Sequence, residues 1–234
     1  MRVRSLPPNS DQGPIWGAMM TRRDPYQRFA PGYDKSWARF SARTHAQVLA
    51  QLPQDCTGLR VLDLSCGTGS LIARILAAHP TIGPVMGVDV SAGMLRQARA
   101  RLAGRSGSQA VGLVQQRLRV LDFQTAAFDI VVCANAFHYF QEPQTTLREV
   151  ARVLRPGGLF ILEDYAKGGL LARYFEWAIR RYDPAHQRAY HLAEATRQLA
   201  RAGWPPATYT ANFRIDPLWR GWIIVARRGS TGAM

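Results

Sequence analysis

Residues 61–71, Val-Leu-Asp-Leu-Ser-Cys-Gly-Thr-Gly-Ser-Leu, constrain the fold more than any other stretch of this chain. A β-favouring apolar run ends near an acid, passes through a Gly-x-Gly turn and enters a segment with apolar residues at helical spacing. That reads as strand, tight loop and helix N-terminus, the arrangement in which an α/β sheet holds a nucleotide-like ligand at its carboxyl edge. Gly67 and Gly69 let the backbone turn sharply and approach a ligand where a Cβ would collide.

The details separate two ligand classes. A dinucleotide fingerprint wants a third glycine, and Ile72 stands in its place. No Lys-Ser or Lys-Thr pair follows to make a phosphate-gripping P-loop. Asp63, ahead of the glycines, would repel a pyrophosphate but suits a cation. About 20 residues further on, Met-Gly-Val-Asp-Val (86–90) carries Asp89 at the offset where an acid grips ribose hydroxyls. Acid, glycine turn and second acid together specify a positively charged adenosine ligand without phosphate.

With these residues the chain resembles the class I S-adenosylmethionine-dependent methyltransferases, especially the group acting on small molecules. Val61–Leu71 matches their first motif, Gly87–Ser91 the second, Phe128–Phe140 the strand-four motif, and Leu154–Leu162 the start of strand five. The resemblance covers residues 26–228. Ser65 departs from it, since many relatives carry glycine there. The resemblance implies S-adenosylmethionine as cofactor, with Asp63 near its ammonium group and Ser65, Cys66, Gly67 and Gly69 beneath its methionine portion. It implies that Asp89 takes the ribose hydroxyls, that Val90 and Met94 pack on adenine, and that Asp122 with Phe123 meets the adenine amino group. For Asp122 a solvated turn residue is the alternative.

Asn135, Ala136 and His138 follow strand four at the ligand-bearing edge. Backbone carbonyls there can receive the cofactor ammonium, and Asn135 counts among the cofactor residues. The stretch Asn-Ala-Phe-His-Tyr-Phe (135–140) looks like the equivalent motif of quinone-pathway methyltransferases. His138 is the candidate general base; an orienting or merely hydrogen-bonded histidine is the other reading. Glu163, Asp164 and Tyr165 leave strand five at the same edge, but strand alternation forbids all three from facing a substrate. Upstream, Tyr26, Phe29, Tyr33, Trp37 and Phe40 fall where similar enzymes have a lid, and Tyr33-Asp34 resembles its Tyr-Asp element. Ordinary helix packing competes with that reading.

The expected fold class is α/β: a doubly wound, seven-stranded, mostly parallel sheet with a terminal antiparallel hairpin, in the Rossmann-like methyltransferase manner. Helices are expected at Asp34–Gln51, Ser70–Ala78, after the Ser91 cap, and at Pro143–Leu154. Strands fall near Arg60–Leu64, Val85–Val90, Phe128–Ala134, Leu159–Glu163, Thr208–Ile215 and Trp219–Arg227. The third lies at Val111–Gln115 or Arg117–Leu121. Residues 1–25 read as a flexible extension, with translation able to start at Met19 or Met20. Residues 26–234 form one domain, in which 26–55 are lid helices and 166–203 a helical insertion. In that insertion Leu171, Tyr174, Phe175, Ala178, Ile179 and Tyr182 make an apolar stripe, for packing on the sheet, lining a pocket or touching a membrane surface.

The chain holds 30 Lys and Arg against 16 Asp and Glu, a net charge of +14. That balance raises nucleic acid or an anionic surface as a partner. Yet only Lys35 and Lys167 are lysine, and the arginines are scattered. Scattered arginines describe solvated helix faces rather than a groove. No RNA-binding module is appended, strand four ends in Cys-Ala-Asn-Ala-Phe rather than an Asn/Asp-Pro-Pro-aromatic element, and no Pro-Cys nucleophile occurs. Cys56, Cys66 and Cys133 make no Cys-x-x-Cys pair, so neither a metal site nor a disulfide framework is expected. No apolar run approaches the roughly 18 residues of a membrane span, and the N-terminus lacks a secretory core, which points to the cytoplasm. The expected partner is a small-molecule methyl acceptor, with peripheral membrane contact left open. An RNA methyltransferase and a noncatalytic cofactor-binding protein are the alternatives.

Overall fold

A computed structural model describes residues 30–105, 107, 110–166 and 186–229. Helix α1 (Ala30–Leu49) precedes β1 (Val61–Leu64), α2 (Ser70–Ala78), β2 (Val85–Asp89), α3 (Ala92–Leu102) and β3 (Val111–Gln115). Then come β4 (Phe128–Ala134), a 3-10 turn at Phe137–Tyr139, α4 (Pro143–Val153), β5 (Leu154–Tyr165), α5 (Leu192–Arg201), β6 (Tyr209–Arg214) and β7 (Arg220–Arg227). The extension 1–25, Tyr26, Phe29 and the apolar stripe at 171–182 lie outside the described residues. Among the described residues no helix is long and apolar enough to cross a membrane.

One seven-stranded sheet runs in the order β3-β2-β1-β4-β5-β7-β6. The first five strands are parallel, and β7 pairs antiparallel with both β5 and β6. Strand order reverses between β1 and β4, whose neighbouring carboxyl ends open the crevice where such sheets bind ligands. The doubly wound reading, with its antiparallel hairpin, therefore holds.

Both faces of the sheet are covered, which is why its central strands are almost wholly apolar. Alternation along β5 divides the core. Phe160 and Leu162 join a cluster with Phe137, Trp204 and Trp222, whereas Leu159 and Ile161 join one with Val48, Ile72 and Ile223. The latter is the face covered by α1 and α2. Trp222 is fully buried, donates its indole N–H to the Tyr190 carbonyl at 2.9 Å and meets the Phe137 ring edge-on at 5.9 Å.

Two boundaries shift by several residues from the sequence reading, and one choice that it left open is decided. Helix α1 begins at Ala30 rather than Asp34. The third strand is Val111–Gln115, the earlier of the two positions, because its backbone registers with Val85–Asp89. Strand β5 starts at Leu154, not Leu159: Leu154 pairs with Phe128, and the register then shifts across Pro156-Gly157-Gly158 before Leu159 pairs with Ile130. The Pro-Gly-Gly turn thus bulges within the strand, with Gly157 at φ +72°.

Trp222→Ala removes the largest fully buried side chain among the described residues and leaves a cavity between β7 and the Phe137 and Tyr190 segments packed on it. A loss of about 3–5 kcal/mol in unfolding free energy is expected by chemical denaturation; a loss under about 1 kcal/mol would show that the core closes over the gap.

Candidate functional site

The carboxyl end of β1 runs into a loop whose backbone is left-handed at every other residue. Ser65, Gly67 and Gly69 have φ of +56°, +54° and +71°. Serine tolerates that conformation less well than glycine. A Cβ on Gly69 would approach Ala98 Cβ to 3.1 Å, so this glycine also lets α3 sit close. The loop is pinned along its length. Cys66 N–H donates to the Val88 carbonyl at 2.9 Å, and Gly69 N–H to the Cys66 carbonyl at 2.9 Å.

Asp89 ties this loop to the next one. One carboxylate oxygen accepts the Gly67 N–H at 2.9 Å and the other the Ser91 N–H at 2.8 Å. Ser91 in turn caps α3, its hydroxyl accepting Met94 N–H at 3.1 Å. Asp63, on neighbouring β1 beside Gly87, is 2% exposed, and its Oδ2 has no hydrogen-bond partner. Burial, reinforced by the Asp89 carboxylate, raises the Asp63 pKa well above the usual carboxylate range. A buried acid lacking a donor is the unmet half of an interaction, and a cationic group would supply the other half.

The expected adenosine side is more mixed. Val90 is 53% exposed just past Asp89, an apolar surface at the strand edge where a base could rest. Met94 is 4% exposed, tucked into the first turn of α3. Asp122 is exposed, with its main-chain N–H on the Gln116 side-chain oxygen at 3.1 Å. Phe123 packs edge-on against Phe128 at 5.0 Å.

Across the switch point, Asn135 has φ +53°, a further strained non-glycine position. Its main-chain N–H donates to the Glu163 carbonyl at 3.0 Å and its Nδ2 to the Thr44 hydroxyl of α1 at 2.8 Å. His138 follows in the 3-10 turn, 5% exposed. The Asp164 carboxylate accepts both the His138 main-chain N–H at 2.8 Å and its Nδ1–H at 2.9 Å. With the Nδ1 proton so held, the neutral ring carries its lone pair on Nε2. Tyr139, Tyr165 and His186 surround the imidazole, at centroid distances of 3.9, 4.8 and 5.2 Å. Tyr165 and His186 are joined by a short hydrogen bond from hydroxyl to Nε2.

Helix α1 straps these two halves together. Its Asp34 accepts the Thr68 hydroxyl at 2.7 Å and pairs with Arg101 of α3, fastening the helix start over the glycine loop. Tyr33 is half-buried beside that fastening. His45, deeper in the helix, is held neutral: burial, with Arg74 and Arg101 nearby, lowers its pKa to about 3.

Sequence reasoning did not identify Asp164 as the partner of His138, nor Thr68 and Arg101 as the anchors of Asp34. No spacing signal announces either, because β-sheet pairing and helix docking create both contacts. Among the described residues, no cluster of His, Cys, Asp and Glu could hold a metal ion. The three cysteines are buried and free, and burial raises each thiol pKa, so they remain thiols.

Residues 61–158 match the family model described as a methyltransferase domain. The chain is 34% identical over 137 residues to the Bacillus subtilis methyltransferase YcgJ, covering 58% of this chain and 53% of that protein. It is 31% identical over 137 residues to the demethylmenaquinone methyltransferase of Lactococcus lactis, covering 57% and 54% of the two chains. The chain therefore spans about half the length of the curated relatives it matches. Among solved structures, a chain from the complex of the Haloferax volcanii Trm112 methyltransferase activator with its methyltransferase superposes with a TM-score of 0.77 at 22% identity, over 89% of this chain and 100% of that one. Crystalline YcgJ superposes with a TM-score of 0.66 at 20% identity, over 81% and 100%. The orphaned Asp63 oxygen, the glycine-loop bend, and Asp89 with exposed Val90 fit S-adenosylmethionine, which is the cofactor. Residues 61–158 of the chain are a methyltransferase domain.

Proposed function

We propose that this chain transfers a methyl group to a small-molecule acceptor, with His138 as general base and Asp164 as the group that orients it. The observation carrying this reading is the buried His138–Asp164 pair beside the switch point, bonded through Nδ1 at 2.9 Å. S-adenosylmethionine supplies a methyl group already activated on a positively charged sulfur, open to in-line displacement.

The protein's work is then mainly positional. Asp63 meets the cofactor ammonium. Ser65, Cys66, Gly67 and Gly69 form the bed beneath the methionine portion. Asp89 takes ribose hydroxyls, and Val90 and Met94 flank the adenine. Asp122 and Phe123 border its amino group, and Asn135 closes the ammonium end. His138 Nε2 accepts the acceptor's proton as its nucleophile attacks, while Asp164 stabilises the imidazolium. Tyr33 and α1 cover the site as a lid within a single domain at 26–234, and exclude water from it. A small acceptor is favoured because relatives such as the Lactococcus lactis enzyme are named for quinone methylation. An RNA acceptor lacks a comparable observation.

Transfer of labelled methyl groups into cell extract, separated into lipid, RNA, protein and small polar pools, tests the acceptor class. Label confined to RNA would overturn it. Asp89→Ala should weaken S-adenosylhomocysteine binding at least about tenfold by calorimetry, given the usual worth of charged hydrogen bonds; unchanged affinity would remove Asp89 from the site.

Asp63 makes cofactor binding proton-linked. Its raised pKa keeps a proton in the empty site, and an arriving ammonium lowers that pKa, so binding releases a proton. Affinity should therefore rise with pH until the raised pKa is passed. Calorimetry in buffers of different ionisation enthalpy reads the released proton directly; buffer-independent heats would dissociate Asp63 from the ammonium.

His138→Ala should lower kcat by about 10²–10⁴-fold, the usual contribution of a positioned base, with S-adenosylhomocysteine affinity intact. Kinetics matching the unaltered protein would leave His138 an ordinary buried histidine.

A further inference from the structure

Among the described residues, Glu163 is the least reconciled side chain. It sits on β5 between Ala134 of β4 and Ile223 of β7, and is 0% exposed. Neither carboxyl oxygen has a hydrogen-bond partner. Burial raises its pKa well above the usual range, and neighbouring Asp164 raises it further. The Asn135 N–H opposes that rise only in part, being committed to the Glu163 main-chain oxygen at 3.0 Å. Interiors seldom keep such a group without a ligand to satisfy it.

A second orphan lies next to it. Asn135 spends its Nδ2 on Thr44, which turns Oδ1 inward as an acceptor, and that Oδ1 is buried without a partner. Strand alternation puts Glu163 on the same face as Leu159 and Ile161, the face covered by α1, from which Thr44 reaches Asn135. Two adjacent groups therefore lack donors, on the β4–β5 side of the sheet rather than at the glycine loop. A bound molecule that brings N–H or O–H groups would satisfy both.

The same strand row points to an entrance. Two residues beyond Glu163, Tyr165 meets Trp219 edge-on at 5.4 Å, and Trp219 meets Phe40 of α1 at 6.3 Å. Phe40 and Trp219 line a cleft of about 340 Å³ between α1 and the β6–β7 turn, with Lys35, Trp37, Arg39 and Asp216 at its sides. Aromatic rings in contact thus link this surface cleft to the end of β5, in the half of the sheet away from β2 and its Asp89.

We propose that Glu163 anchors the methyl acceptor: its carboxyl group, with Asn135 Oδ1 beside it, takes hydrogen bonds from an amine or hydroxyl of a molecule admitted through the α1–hairpin cleft. The proposal rests on the methyltransferase reading and extends it to the acceptor's polar group. Glu163 is a specificity residue here, separate from the base.

Glu163→Leu and Glu163→Gln test it, with labelled S-adenosylmethionine as donor and an organic-solvent extract of bacterial cells as acceptor probe. Glu163→Leu should melt at the same temperature as the unaltered protein or higher, since an unsatisfied buried carboxyl is replaced by an apolar group. It should bind S-adenosylhomocysteine normally, and should lower the methylation rate at limiting extract by about 10- to 100-fold. Glu163→Gln keeps an acceptor oxygen without the charge: a rate near normal identifies a hydroxyl on the acceptor, and a fall equal to that of Glu163→Leu identifies a cationic amine. Marked thermal destabilisation of Glu163→Leu, weakened S-adenosylhomocysteine binding, or an unchanged rate would each overturn the anchor. Failure of the unaltered protein to bind S-adenosylhomocysteine would instead overturn the methyltransferase reading, and the melting comparison would still judge Glu163.

Discussion

The Asp89 carboxylate holds two loops at once, and the cofactor site depends on that bracing. Its oxygens accept N–H groups from Gly67 and Ser91, fixing the glycine bend against the start of α3. The bend alternates three left-handed residues, one of them a serine, and would not persist without such over-determination. A carboxylate accepts both N–H groups at once, one at each oxygen. The same residue thus sets the shape of the glycine bend and the start of the next helix.

Charge is distributed against the average of the chain. The protein is strongly basic, yet Asp63, Asp89, Glu163 and Asp164 are buried together along the carboxyl edge of the parallel strands. Each is treated differently by its surroundings. Asp89 and Asp164 are satisfied by backbone N–H groups, and Asp164 also by an imidazole. Asp63 keeps one oxygen bare and Glu163 keeps two. A cationic sulfonium ligand suits this edge, and the scattered arginines outside it need no ligand to explain them.

Helix α1 makes one site out of two half-sites. Asp34 grips Thr68 and Arg101 on the cofactor side, and Thr44 grips Asn135 on the strand-four side. Both attachments are polar and local to the site, so the helix can be coupled to ligand occupancy without loss of the apolar core around Val48. Trp37 and Phe40, towards the middle of the helix, lie against the hairpin instead, where Phe40 reaches Trp219.

Local chemistry was readable directly from the chain. The Val61–Leu71 motif, the Ser91 cap, the unbroken apolar run Phe128–Ala134 and the terminal hairpin each depend on neighbours in sequence, so composition and spacing reveal them. The choice between two positions for β3 was not local, because it required the register with β2. The start of β5 likewise depended on Leu154 finding Phe128 across a bulge.

What the sequence determined by itself was the class of ligand and the sheet that bears it: an acid, a glycine bend and a second acid at fixed offsets leave little else. Tertiary structure alone decided how the polar groups pair. His138 met Asp164, Asp34 met Thr68, and Glu163 met nothing, because hydrogen bonds across a sheet or between docked elements join residues whose separation along the chain carries no period. The short-range code writes strands and turns; only the closed fold determines which buried groups are left awaiting a partner.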